Sequence, residues 1–423
     1  MKEDIENPKR SSSRAWFTGN VLLLGLVSFF ADLSGEMMTP VLPLFIAALG
    51  GSSVVIGFIG GLGDAVANIV KVFSGYIADK TGRRRQLIAV GYGIPFFAKL
   101  GIGLSNAWEQ VLVLKPTERL GKGIRGAPRD SLLADSISFE ERGKAFGFHR
   151  MMDTAGAIVG SLLALIILIM FYGILNDELG ILKLILIISA FVSLAAVIPI
   201  FFLSDQEEKQ ITEERKKSSL VDNLKGLPGN FYKFLIVSTL FGFGNFTILL
   251  FIIHTKTILL GADPNASEFV QLAFPIVTFI WFNIIYTILS IPFGSWSDKY
   301  GRKNIFAVGL GLFIFTCLGF SLTTDPIILF LLFGVYGAFN AATDGIQKAF
   351  AVDLLPEDLK GTGIGLLQAL MGFASIFGGL IAGYLYDFES SFAFLYGGIL
   401  AGITLLVLFG MNISITRPND IDQ

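Results

Sequence analysis

The chain has 423 residues, 53% of them hydrophobic and 16% charged, with a formal charge of -2 and a mean hydropathy of +0.68. So apolar and lightly charged a composition excludes a water-soluble domain of this length, and in such a chain the placement of charge matters more than its sum. A single cysteine, Cys317, excludes a disulfide framework and a cysteine-based metal centre.

The start, MKEDIENPKRSSSRAW, is polar, and the first apolar run is too long for the core of a cleavable signal, so it is expected to act as a signal anchor and first span. A span needs roughly 20 mainly apolar residues. In chain order such runs fall at 18–49, 54–78, 86–106, 109–135, 144–171 and 181–203, and then at 230–260, 268–296, 304–322, 326–352, 362–386 and 391–412. The expectation is an all-α membrane protein of twelve transmembrane helices. Span four is unusual in holding Glu118, Arg119, Lys122, Arg125, Arg129 and Asp130. Between spans six and seven lies the one long polar stretch, 204–229, with DQEEKQITEERKKSS inside it. It reads as a solvated, partly helical linker between a first half, 1–203, and a second, 230–423.

Lys and Arg accumulate in cytoplasmic loops. Here Lys9, Arg10 and Arg14 precede span one, Arg83, Arg84 and Arg85 follow span two, Arg142 and Lys144 precede span five, and Lys299, Arg302 and Lys303 follow span eight. The opposite loops, such as GGSS after span one and TTDP after span nine, are nearly free of them. Both termini are therefore expected in the cytoplasm.

The halves echo each other. GYIADKTGRRR begins at Gly75 after span two and GSWSDKYGRKN at Gly294 after span eight, an offset of 219 residues. Asp135 stands seven residues before Arg142-Gly143, as Asp353 stands seven before Lys360-Gly361, an offset of 218. Two matches at nearly one period indicate duplication, and parallel repeats of this kind place a substrate site between the halves at mid-membrane. This repeat is also the reason to keep the charged span four.

With these motifs the chain resembles the major facilitator superfamily of secondary transporters, from span one to span twelve. The family's loop signature G-x-x-x-D-[RK]-x-G-R-[RK] is met at Gly75, Asp79, Lys80, Gly82, Arg83 and Arg84, and again at Gly294, Asp298, Lys299, Gly301, Arg302 and Lys303. The resemblance implies two six-helix bundles in a prokaryotic plasma or inner membrane, with Asp79 and Arg83 latching the halves in the outward-open state. Looser matches point to a drug-proton antiporter-like branch. ERLGKGIRGAPRD in span four is similar to an R-x-x-x-G motif of proton-coupled members, at Arg119 and Gly123. DTAGAIVGS in span five is similar to the antiporters' G-x-x-x-G-P motif, with Ser161 in place of the proline. TPVLP, Thr39 to Pro43, is close to a pattern of the exporter branch.

Ionisable groups at bilayer depth are costly unless they face a partner or a wet cavity, so each is a functional candidate. The first half concentrates them: Asp32 and Glu36 in span one, Asp64 and Lys71 in span two, the span-four cluster, and His149, Arg150 and Asp153 in span five. The second half has chiefly Asp344 and Lys348, with His254 and Lys256 at the outer end of span seven. At about 100 degrees per residue, Glu118, Lys122, Arg125 and Arg129 share a stripe roughly 60 degrees wide, and Asp64, Asn68 and Lys71 share another. Asp32 and Glu36 are one turn apart, as are His149 and Asp153. Opposite charges on neighbouring helices can neutralise one another. Structural pairing is the expectation for Lys71, Arg129, Asp130 and Arg150. Substrate or proton coupling is the expectation for Asp32, Glu36, Asp64, Glu118, Arg119, Lys122, Arg125 and Asp153.

Among function classes, no G-x-x-x-x-G-K-[ST] loop is present for ATP-driven transport, and two histidines without H-E-x-x-H offer no enzyme site. No cofactor, metal or nucleic-acid partner is expected. The leading expectation is proton-coupled export of a small, lipophilic organic molecule by a monomer embedded in lipid. The rival is a carrier of organic or phosphate-bearing anions, which Arg119, Lys122 and Arg125 suit. A receptor that uses the fold without transport is the remote third.

Overall fold

The computed structural model describes residues 18–81, 83–137, 142–203, 220–356 and 359–413. Fifteen α-helices account for nearly all of them: α1 Gly19–Met38, α2 Leu42–Ala48, α3 Ser53–Thr81, α4 Arg84–Leu104, α5 Trp108–Asp135, α6 Arg142–Leu175, α7 Glu178–Ala195, α8 Leu220–Lys225, α9 Gly229–Gly244, α10 Ile248–Ala262, α11 Glu268–Tyr300, α12 Arg302–Leu322, α13 Pro326–Asp353, α14 Lys360–Phe388 and α15 Ser390–Gly410. With α1 and α2 forming span one and α9 and α10 span seven, they make the twelve expected spans. Lipid supplies no hydrogen bonds, so each span satisfies its backbone within itself.

Eleven spans among the described residues are long and apolar enough to cross a membrane. The twelfth, α5, has the length but too many charges. Its neighbours supply what lipid cannot, for Lys115, Glu118 and Arg125 are all at most 7% exposed.

The first span of each half is broken. In span one Pro40 lacks the N–H that would continue α1, and Pro43 sits in the first turn of α2, so TPVLP marks the break. In span seven the break lies at 245–247, where Thr247 Oγ1 accepts from the Leu249 N–H at 3.4 Å and restarts the helix.

Within the first half α6 packs on α1, α5 on α3 and α4, and α7 on α4 and α1; within the second α13 packs on α11 and α12, α15 on α12, and α9 on α14 and α15. Among the described residues the bundles meet chiefly through α3 with α14 and α6 with α11, and α10 also packs on α2 and α3. Even span number puts residues 18 and 413 on one side, here the terminal end; the opposite side is the far end. At the far end the backbones of α3 and α14 touch: a Cβ on Gly57 would strike the Gly379 carbonyl, and one on Gly379 the Gly57 carbonyl. Small residues allow such approach between membrane helices. Apolar packing is continuous across both halves there, from Met37, Phe45 and Ile59 to Phe246 and Phe394. Toward the terminal end the first half keeps a separate cluster around Val21, Leu24, Tyr92 and Leu133.

Candidate functional site

Three polar contacts seal the far end. Asp387 of α14 accepts from the N–H groups of Ser53 (2.8 Å) and Val54 (3.1 Å), capping α3 from the other half. Tyr172 of α6 donates to Glu268 of α11 at 3.0 Å, and Lys256 of α10 pairs with Glu178 of α7 at 2.7 Å. Between the halves a cavity of about 780 Å³ extends to Ser297, Asp298 and Arg302 at the terminal end. Its first-half wall comprises Asp32, Asn68, Lys71, Lys122, Arg125, Arg129, Arg150 and Asp153; the second half contributes Tyr286, Asn340, Asp344, Lys348 and Gln368.

The wall's charges are held in separate ways. Arg129 pairs with Asp130 at 2.8 Å and also donates to Ser28 Oγ at 3.0 Å. Ser28 Oγ lies 2.7 Å from His149 Nε2, and His149 Nδ1 lies 3.5 Å from Asp153 Oδ2. With Nδ1 protonated toward Asp153 and Nε2 accepting the Ser28 hydroxyl, this chain ties α5, α1 and α6 together and fixes the rotamers of Arg129 and Asp153. Lys71 shares Asp130 at 3.8 Å. The Arg125 guanidinium stacks over the Tyr92 ring at 4.2 Å and donates to the Gly91 carbonyl at 3.2 Å, so α4 aims it without neutralising it. Across the cavity Arg150 donates to the Tyr286 hydroxyl, which donates to Asp344 at 3.1 Å. Asp32, Lys122 and Lys348 form no hydrogen bond or ion pair among the described residues.

Of the eight coupling candidates, the cavity gathers Asp32, Lys122, Arg125 and Asp153. Asp64, Glu118 and Arg119 belong instead to a second network, buried at Lys115 and Glu118 and partly exposed at Asp64: Glu118 pairs with Lys115 at 2.9 Å and with Arg119 at 3.8 Å, and Arg119 reaches Asp64 at 3.4 Å. Glu36, one turn beyond Asp32, is half-buried off the cavity wall. The single polar stripe expected on span four therefore splits, with Lys122, Arg125 and Arg129 toward the cavity and Glu118 into protein. Lys71, Arg129 and Arg150, expected to pair structurally, also line the wall, each with a partner.

Lys99 of α4 was not among the candidates. It is 2% exposed, and its Nζ donates to Ser34 Oγ at 2.6 Å, whose hydroxyl donates to the Ser189 carbonyl. A lone lysine inside an apolar run is the signal that identifies it.

At the loop signatures Gly82 and the side chains of Asp79 and Lys80 lie outside the described residues. Gly75 packs against Ala127, and Arg83 is exposed. Gly301 adopts φ +93°, a turn that favours glycine, and Gly294 borders the cavity. In the first half the ordered pair is Arg84 with Asp135; in the second Arg302 reaches Asp353 at 3.2 Å and Asp298 at 2.6 Å. Both helix-to-helix pairs span 51 residues, so the duplication repeats this corner. The span-five glycines Gly156 and Gly160 press on the α1 backbone at Phe29 and Leu33. Ser161, in the proline's place, accepts from Asn283 of the second half at 3.3 Å.

The profile of the Major Facilitator Superfamily matches residues 24–284 and 237–421. The chain is similar to an uncharacterized MFS-type transporter of Methanocaldococcus jannaschii, 37% identical over 410 residues, covering 97% of this chain and 98% of that protein. It is 23% identical over 389 residues to the multidrug resistance protein MdtG of Proteus mirabilis, covering 89% and 92%. Among solved structures the nucleoside transporter NupG superposes with a TM-score of 0.70 at 18% identity, covering 95% of this chain and 100% of that one.

Proposed function

The chain belongs to the major facilitator superfamily, multi-pass membrane transporters and not enzymes, and on that premise we propose that it exports a small organic solute from the cytoplasm in exchange for protons. The observation that carries this reading is the cavity, which lies between the two halves and reaches the terminal end while the far end is sealed. The basic loops Arg83–Arg85 and Lys299–Lys303 argue for a cytoplasmic terminal end. The halves 1–203 and 230–423, joined by the linker 204–229, rock about the α3–α14 and α6–α11 contacts. The signature loops, through Asp79 and Arg83, then close the cytoplasmic end once the far end opens. One chain encloses the whole cavity, in keeping with a monomer.

Asp32 is the coupling acid. It lines the cavity without a bonded partner, and its charged neighbours are Lys122, Arg125 and Arg129 of α5 and Asp153 of α6, with Glu36 a turn away on α1. Solute entering that wall changes the charge beside Asp32 and with it the carboxyl's hold on a proton. Export is supported by the resemblance to a protein named for multidrug resistance and by α6 glycines packed on α1.

Proteoliposomes with an imposed pH gradient test the exchange. In the wild-type protein solute should move toward the compartment that supplies the protons, and Asp32→Asn should retain solute binding while losing dependence of flux on the gradient. Flux indifferent to the gradient in the wild-type protein would remove the coupling.

A further inference from the structure

Resting on that transport reading, we infer that the solute is an organic anion whose carboxylate or phosphate group is held between Lys122 and Arg125 of the first half and Lys348 of the second.

The inference comes from pairing off the cavity's charges. Among the described residues Arg129 and Lys71 share Asp130, Arg302 has Asp298 and Asp353, and Arg150 rests on the Tyr286–Asp344 pair. Lys122, Arg125 and Lys348 have no carboxylate within 4 Å among the described residues. Of the cavity's acids, Asp344 answers Arg150 through Tyr286 and Asp298 holds Arg302, while a neutral His149 orients Asp153 without cancelling its charge, which leaves Asp32 and Asp153 against the three cations Lys122, Arg125 and Lys348. An enclosed wall with an excess of unneutralised ammonium and guanidinium groups is complementary to an anion and hostile to a lipophilic cation. Arg125 is suited to the task, because stacking on Tyr92 and one bond to a backbone carbonyl orient its fork while leaving N–H donors for a planar oxyanion.

The same cations couple binding to movement. Lys348 lines the cavity from the second half and Lys71, Lys122 and Arg129 line it from the first, with Lys348 near enough to Lys71 for their charges to interact. With the site empty, like charges on opposing halves repel at the cytoplasmic end and favour the open cavity. An anion between them cancels that repulsion and ties the halves together, so the loaded carrier closes where the empty one resists. The membrane potential adds to the direction, since an inside-negative potential drives an anion out and a proton in.

The test is thermal stabilisation of the purified protein in detergent at matched ionic strength. Citrate and glucose 6-phosphate serve as anionic probes, tetraphenylphosphonium as the lipophilic cation, glucose as the neutral probe and sodium chloride as the salt control. Saturable stabilisation is expected from an anionic probe alone, weakened about tenfold or more in apparent affinity by Lys348→Gln and by Lys122→Gln, and restored toward wild type by Lys348→Arg. A melting temperature without ligand that matches wild type separates this loss from misfolding. Stabilisation by tetraphenylphosphonium that survives Lys348→Gln, or no anionic effect beyond the chloride control, would overturn the inference while leaving the carrier reading standing. Anion binding as expected, with no flux in proteoliposomes, would instead sink the carrier reading and leave the site.

Discussion

Asp387 closes the far end through the backbone of the opposite half, and removing it should open the molecule by a calculable amount. Its two oxygens take the N–H groups of Ser53 and Val54, groups that begin α3 and have no acceptor within their own helix. Loss of an N-cap costs about 1 kcal/mol in typical cases, and Asp387 is exposed, so that middle value is the one to use. The cap joins α14 to α3 and exists only while the far end is closed, so Asp387→Ala should penalise that state alone. At 1.4 kcal/mol per tenfold, the far-open population should rise about fivefold. Ser290 lines the cavity, and the one native thiol, Cys317, is buried, which makes Ser290→Cys a clean reporter. A membrane-impermeant maleimide applied from the outer face should label Ser290→Cys about fivefold faster in the Asp387→Ala background. Asp387→Asn, still able to cap, should change the rate much less. An unchanged or slower rate in Asp387→Ala would refute the reasoning, as would an equal acceleration when reagent is added from the cytoplasmic face.

Two further substitutions probe the packing that surrounds the cavity. Glu118→Gln leaves the buried Lys115 without its anion, Arg119 keeping Asp64, and should cost about 3 kcal/mol, visible as a large drop in melting temperature or failure to fold; a shift no larger than that of an exposed mutant such as Glu109→Gln would discount the network. Gly57→Ala drives a methyl into the Gly379 carbonyl and should speed outer-face labelling of Ser290→Cys, whereas Gly93→Ala, with open space at its Cβ, should not; equal behaviour of the two would deny that the α3–α14 contact gates the far end.

What the sequence reveals and what it hides divide along the difference between angle and depth. Apolar run length locates eleven of the spans, and the repeat justifies α5 despite its charges. TPVLP announces the break in span one because proline cannot donate, but nothing in Asn245-Phe246-Thr247 announces the matching break in span seven, where Thr247 restarts the helix against Gly60. A helical wheel puts Glu118 on the stripe of Lys122, Arg125 and Arg129, and the angle is right. The wheel carries no information on where the cavity ends, and it ends before Glu118, which turns to Lys115 and Arg119 instead. A lone lysine in an apolar run marks Lys99, but its partner is a serine hydroxyl on α1, a neighbour that no spacing within α4 reveals. Register explains the corner of the first half: the repeat aligns Arg83 with Arg302, yet the side chain that reaches the acid on the following helix is Arg84.

Duplication set the halves in one frame, and divergence filled it with different material. The corners Arg84–Asp135 and Arg302–Asp353 are alike, and so are the broken first spans. The interiors are not. Behind its wall the second half packs ring on ring, with ring centroids 4.4 Å apart for Phe251 and Tyr336, 4.7 Å for Phe313 and Phe339 and 5.1 Å for Phe394 and Phe251. Such a core has few charges to rearrange, and close-packed interiors yield little. The first half instead threads charges and hydroxyls through α1, α4, α5 and α6, where a changed charge alters the balance of a whole network. A frame shared by both sides cannot by itself tell one solute from another. Selectivity must therefore arise from the asymmetry at the interface, where a wall of many charges faces one that offers Lys348, Asp344 and Tyr286.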